Sequence, residues 1–229
     1  MNVQAPRIEA SNEVSSSKFA PSESRTWDIY RSVVKRVLDV TVVLLALPFL
    51  VPFLLILAVA ICAKDGHSPF FTQERIGQNG KRFRIWKFRT MVPDAEAMLQ
   101  RHLDENPEAQ AEWTSMQKLS IDPRCTSVGK LLRRSSMDEL PQLFNVLIGD
   151  MSLVGPRPML PEQQSLYPGH GYYRLRPGMT GSWQVSARSG STFASRAGYD
   201  DTYEREVNFM CDAKIIAKTV GVVLRGTGV

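Results

Sequence analysis

Charge is missing from one long stretch of this sequence. Between Val40 and Ala63, 24 residues pass without a single Asp, Glu, Lys or Arg. As a helix rising ~1.5 Å per residue, that run covers about 36 Å, more than the ~30 Å hydrocarbon core of a bilayer. It begins far from residue 1 and lacks a small-residue cleavage site after a short apolar core, which sets it apart from a secretory signal. Cysteine and histidine are scarce. Cys62, Cys125 and Cys211 form no CxxC pair and the three histidines are scattered, which excludes a disulfide framework or a zinc site and fits a reducing, cytosolic setting. Neither GxGxxG nor a Walker loop is present, the spacing of "GQNGK" being wrong, so any nucleotide must be held by another device. Internal repeats are also absent.

What is there is uneven. The 229 residues carry a formal charge of +5, yet residues 1–26 are neutral, with Arg7, Lys18 and Arg25 against Glu9, Glu13 and Glu23. Rich in Ser, Pro, Asn and Glu and without an apolar period, they read as a disordered tail. Arg75 to Met91 holds six basic residues and no acid. Such a patch suits anionic lipid, a phosphorylated small molecule or nucleic acid, or is a plain solvated face. Phe83, Trp86 and Phe88 interleave it, but nucleic-acid binders seldom need the acid pair described below, and no nucleic-acid partner is expected.

The segment 27–64 reads as one membrane helix, basic where it starts (Arg31, Lys35, Arg36), with Asp39 spaced for an ion pair to Lys35 and Arg36. Pro48 and Pro52 lie inside the apolar run. Each removes a backbone donor and clashes with the preceding turn, so the helix is expected to kink or break there. Lys64 and the basic segment follow, so both flanks read as cytoplasmic. A re-entrant helix and a kinked single span both fit this segment alone.

Residues 65–229 read as a cytosolic, membrane-associated domain. "FFTQERIGQNGKRFRIWKFRTM" predicts a β-hairpin turning at Asn79-Gly80. "DAEAMLQRHLDENPEAQAEW" predicts a polar helical stretch interrupted at Pro107, and two short helices and a proline-rich loop follow. Pro177-Gly178 suits a type II turn, and "TGSWQVSA" a short strand. The segment "CDAKIIAKTVGVVLR" is amphipathic, either a core helix or one lying on the membrane surface.

The chemistry concentrates in "RRSSMDELPQLFNVL". Ser136 and Glu139 have capping-box spacing and Asp138 suits a helix N-terminus. However, Pro141 would then fall at the fifth helical position, so a distorted first turn is expected, backed by Arg133 and Arg134. A carboxylate there suits a nucleophile or a Mg²⁺ ligand. "SLVGPRPMLP" fixes Arg157 between two prolines, presenting its guanidinium at low entropic cost to a carboxylate or phosphate. Arg174, Arg176 and Arg188 surround Pro177-Gly178. Asp200 and Asp201 fall on a predicted helix and alone read as a solvated face.

Together "KRVLDV", the hairpin segment, "RRSSMDELPQLFNVLIGDMSLVGPRP", "RPGMTGSWQVSAR" and "YDDTY" resemble successive signature blocks of the bacterial sugar transferases, the monotopic phosphoglycosyl transferases, from about Lys35 onward. The chain is similar to the short, exopolysaccharide-initiating form. The resemblance implies an α+β fold: a re-entrant membrane helix broken near Pro52, then a mainly helical cytosolic domain with a small β-hairpin and surface amphipathic helices. It implies transfer of a hexose 1-phosphate, galactose or glucose first, from a UDP-sugar to undecaprenyl phosphate. UMP would be released, with Mg²⁺ and a covalent phosphosugar on Asp138, at the cytosolic face of the bacterial inner membrane. Glu139 would bind the metal or position Asp138, while Lys87, Arg133, Arg157 and Arg176 would surround phosphates and Asp200 would serve the metal or substrate. Many members carry Ser where Val51 stands, and Pro48 is additional, so the break point is less fixed than the break. A homodimer fits the size of the membrane domain. A silent, membrane-anchored nucleotide-sugar-binding adaptor is the non-enzyme alternative.

Overall fold

The computed structural model describes residues 29–116, 119–186 and 192–224. The expected tail at 1–26 and Arg188 lie outside the described residues.

A short π-helical turn, Tyr30–Val34, leads into the long helix α1 (Lys35–Asp65). Both prolines sit inside α1, and the helical assignment continues from Lys35 to Asp65 through them. Each proline deletes one donor, Pro48 from the ladder to Leu44 and Pro52 from the ladder to Pro48. Gly66 ends the helix in the left-handed conformation at φ 68°.

One face of α1 packs on the rest of the chain along most of its length. Val43, Leu47 and Leu50 join a core with Phe83, Ile85, Leu143, Val146 and Met151. Leu54, Leu57, Ala58 and Ile61 join a second with Phe88 and Leu132. The spacing of three and four places these residues on one stripe. The opposite faces expose Leu45, Phe49, Leu55, Ile56 and Val59. At its start the helix is pinned by polar bonds. Lys35 donates to Asp212, Arg36 to the Val146 and Leu147 carbonyls, and Asp39 accepts from the Ser152 hydroxyl and the Leu153 amide. The predicted pairing of Asp39 with Lys35 and Arg36 gives way to these long-range partners, which satisfy buried groups that local pairing would leave unbonded.

Strands β1 (Phe70–Ile76) and β2 (Arg82–Phe88) form the expected antiparallel hairpin, with Gln73 opposite Ile85 and Arg75 opposite Phe83. Asn79 and Gly80 take the positive φ the turn requires, 56° and 75°. Direct partners share a face, so Arg75 and Lys87 lie on the inward side with Phe83 and Ile85, while Arg82 and Arg84 point outward. The basic segment is therefore split between two faces.

Helices α2 (Ala95–Glu105) and α3 (Pro107–Met116) meet at Pro107, which opens α3, where its missing donor does no harm. Then come α4 (Ser127–Arg134), capped by the Thr126 hydroxyl, a 3₁₀ turn at Met137–Gln142, and α5 (Leu143–Ile148). Strand β3 (Ser152–Val154) pairs in parallel with β4 (Gly178–Thr180). This replaces the expected turn at Pro177-Gly178, since Gly178 keeps negative φ and the Pro177 carbonyl accepts from Ser152. "TGSWQVSA" is mostly the helix α7 (Ser182–Ser186) rather than a strand, with α6 (Gly171–Arg174) before it. Helix α8 (Arg196–Glu206) packs on α6. The last helix, α9 (Phe209–Leu224), buries Asp212 and Ile215, while Phe209, Met210, Ile216, Val220 and Val223 are exposed. The core reading holds for its buried side, and its outer face is apolar.

Candidate active site

The Asp138–Glu139 pair sits in the 3₁₀ turn between α4 and α5. Ser136 enters that turn in the left-handed region at φ 56° and makes no side-chain cap, so the capping box does not form. The turn is distorted as Pro141 requires, and Glu139 is freed from capping to face inward. Its Oε1 accepts from Lys87 Nζ of β2 and from Arg157 Nη2, each at 2.8 Å. Asp138 is 7% exposed, and among the described residues no hydrogen bond reaches its carboxylate.

Two close approaches of backbone fix Arg157. A Cβ on Gly155 would lie 2.4 Å from the Arg176 carbonyl oxygen, and one on Gly178 would lie 2.1 Å from the Gly155 nitrogen. Only glycine at both positions lets β3 and β4 draw together with Gly178 N–H donating to the Pro156 carbonyl at 2.8 Å. Behind the loop, Arg196 Nη2 donates to the Arg157 carbonyl at 2.5 Å, and its guanidinium stacks over Trp183 and Phe193.

The charges divide the two acids. Burial alone would raise Glu139, but the Arg157 and Lys87 charges and hydrogen bonds hold it well below the usual carboxylate range. Burial raises Asp138 above that range, with Lys87 opposing. Facing Glu139 strengthens the Arg157 guanidinium's hold on its proton, whereas burial weakens that of Lys87. Neighbouring carboxylates pushed apart in this way are the signature of a divided chemical role.

The structure brings Asp138, Glu139, Lys87 and Arg157 into one cluster. Arg133 acts on Asp138 through its charge, while its bonds go to the Thr90 hydroxyl at 3.0 Å and, more loosely, to Asp122 at 3.6 Å. Arg176 is half-buried beside Gly155, and among the described residues its guanidinium has no polar partner. Asp200 lies behind the cluster. It is 3% exposed, not a solvated face, and accepts from the Tyr167 hydroxyl at 2.8 Å. Arg196 links it to Arg157. Sequence reasoning missed Arg75, Gln142 and Arg196. For Arg75 a signal existed, since a hairpin turning at Asn79-Gly80 puts it on the same face as Lys87.

Among the described residues no three His, Cys, Asp or Glu side chains gather as an all-protein metal cage. Mg²⁺ needs none, being held by one or two carboxylates with waters and substrate phosphates. Asp138, free of hydrogen bonds, and Glu139, both of whose bonds fall on one oxygen, fit that pattern.

The fold is thus an α+β domain in which one face of a helix long and apolar enough to cross a membrane packs into the core, beside paired acids ringed by cations. The chain belongs to the bacterial sugar transferase family, which it matches over residues 30–226. It is 38% identical to the exopolysaccharide production protein ExoY of Sinorhizobium fredii over 221 residues, 96% of this chain and 98% of that protein. It is 41% identical to the undecaprenyl-phosphate galactose phosphotransferase of Salmonella typhimurium over 196 residues, 85% of this chain and 41% of that protein. With the UDP-glucose:undecaprenyl-phosphate glucose-1-phosphate transferase of Klebsiella pneumoniae it shares 37% identity over 198 residues, 82% of this chain and 39% of that protein.

Proposed function

We propose that this protein transfers a hexose 1-phosphate from a UDP-sugar to undecaprenyl phosphate, releasing UMP, as the first step of an exopolysaccharide. The observation that carries the reading is the division within the acid pair: Glu139 is tied to two cations, while the Asp138 carboxylate stands without a hydrogen bond beside them. An Asp138 oxygen bonds to the phosphorus that bears the sugar. The bond from that phosphorus to the UMP oxygen breaks, and the electron pair leaves with UMP. An oxygen of undecaprenyl phosphate then bonds to the same phosphorus and frees the Asp138 carboxylate. Lys87 and Arg157 hold the diphosphate oxygens and fix Glu139, and Arg133 and Arg176 add positive charge around the same groups. A Mg²⁺ ion held by Glu139 and Asp138 would supply neutralisation of the diphosphate charge.

A second part of the proposal is that α1 is re-entrant, with both ends on the cytosolic face. Support comes from its buried stripe: from Asp39 to Ile61 the helix stays in contact with the domain that holds the site. Those 22 steps cover ~33 Å, about a hydrocarbon thickness. A helix that crossed the bilayer would carry one end away from a domain on one side.

The test is UMP release by the purified chain with undecaprenyl phosphate and a panel of UDP-sugars, galactose and glucose first. Binding of a UDP-sugar with no UMP released would identify the adaptor instead.

A further inference from the structure

Beside Glu139 lies a small hole lined by Arg75, Ile85, Lys87, Gln142, Arg157 and Gly178. Its volume is about 10 Å³, about the space of one water oxygen. Two of its lining residues carry a buried donor that makes no hydrogen bond among the described residues: Nε2 of Gln142 and Nε of Arg75. Gln142 is only 2% exposed, so water outside the hole does not reach it. Buried donors left unbonded are costly and call for an explanation.

The charge around the hole is also unbalanced. The lining holds three cations, Arg75, Lys87 and Arg157, and one acid, Glu139, while the Asp138 charge beside it also acts on Lys87 and Arg157. Lys87 and Arg157 share Glu139, whereas among the described residues Arg75 donates to neutral acceptors, the Pro158 carbonyl at 3.1 Å and Gln73 Oε1 at 2.6 Å. Its pKa falls to about 10 through burial and the nearby Arg157 charge. A buried cation of this kind is stabilised by an anion brought from outside.

We infer that Gln142 Nε2 and Arg75 Nε, with Lys87 and Arg157, form an oxyanion hole that takes one phosphoryl oxygen of a substrate phosphate. An oxygen seated in the hole would fix the rotation of the phosphate as well as neutralise it. The donor diphosphate and the acceptor lipid phosphate share this chemistry. The inference rests on the transferase reading above only for the identity of the phosphate.

Gln142→Glu gives a distinctive test, because its side chain has the same shape but puts a negative oxygen where the phosphoryl oxygen would sit. In the detergent-solubilised full-length chain, thermal unfolding and titration with inorganic pyrophosphate are measured for wild type, Gln142→Glu and Arg75→Gln. Gln142→Glu is expected to raise Tm without ligand and weaken pyrophosphate binding at least tenfold; Arg75→Gln weakens it similarly. A glutamine with a structural role alone would lower Tm when charged and leave binding alone. Wild type that binds no pyrophosphate, or variants that bind it as wild type does, overturns the hole. If Gln142→Glu does not fold, the Arg75→Gln titration decides. Parallel titrations with UDP and with a short-chain polyprenyl phosphate show which phosphate uses the hole, by which affinity falls in the variants. Variant-sensitive pyrophosphate binding in a chain that turns over no UDP-sugar keeps the hole and removes the transferase reading. Turnover with variant-insensitive binding removes the hole alone.

Discussion

Replacing Asp200 by Asn separates a buried support from a residue that touches metal or substrate. Burial raises the Asp200 carboxyl from the ordinary 3.8 to about 6, although Arg196 and the Tyr167 hydroxyl pull the other way. Between those values the folded chain binds more protons than the unfolded one, so stability falls as pH rises through the window. Above about pH 6 the group is ionised in both states and the folded state carries the full penalty. A shift of about 2 units is worth roughly 3 kcal/mol. Asparagine resembles the protonated acid, still accepting from Tyr167, and removes that penalty. For a chain of this length, 3 kcal/mol is roughly 6–12 °C in Tm. Thermal unfolding of wild type and Asp200→Asn in detergent, at several pH values from 4 to 7.5, should give curves that nearly meet at the acid end. They should separate towards neutral pH, the variant being the more stable. Parallel Tm profiles across that range would refute the reasoning. UMP release by the variant should fall only modestly, because its action on Arg157 passes through Arg196; loss of all turnover would return Asp200 to the site itself.

Asp138→Asn should cut turnover at least ~10³-fold, as loss of a covalent nucleophile does, while Tm stays level or rises, since a buried charge is removed. Wild type given UDP-sugar alone should release UMP and carry a sugar phosphate on Asp138, and a label elsewhere would move the nucleophile. The pH–rate profile should show an acid limb above the ordinary carboxylate range, set by Asp138, because burial raises it while Glu139 is held low; a limb at the usual aspartate position would contradict this. Arg157→Lys keeps the charge but loses the planar fork, so donor KM should rise about tenfold with Tm little changed; unchanged kinetics would leave Arg157 as a partner of Glu139 with no part in holding the donor. A cysteine introduced at Asp28 should escape labelling from outside intact spheroplasts in wild type, and become partly labelled when Pro48 and Pro52 are both replaced by Leu. Labelling in the chain with both prolines intact would make α1 a kinked span.

The hairpin was legible because Asn79-Gly80 sets a turn and strand alternation does the rest. The distorted 3₁₀ turn was legible from Pro141, which no regular helix accommodates there. Strands β3 and β4 were not, as three residues carry too little alternation to register, and Pro177-Gly178 imitates a turn. What identifies them is two glycines far apart in sequence that need each other's space. The buried stripe of α1 was hidden for the opposite reason: when nearly every residue is apolar, no period marks which face is covered. At the site, the acids and Arg157 announced themselves by local pattern. Gln142 and Arg196 act only through neighbours that the fold supplies.

That stripe means anchor and catalyst are one folding unit. The side chains that would hold α1 in lipid alternate with those that complete the core around Phe83, Ile85 and Phe88. A fragment beginning after Gly66 would lack one wall of both cores, so cutting away the anchor to make a soluble enzyme should yield an aggregating chain. With α1 in lipid as proposed, insertion into the bilayer and closure of the scaffold around the acid pair are expected to be one event.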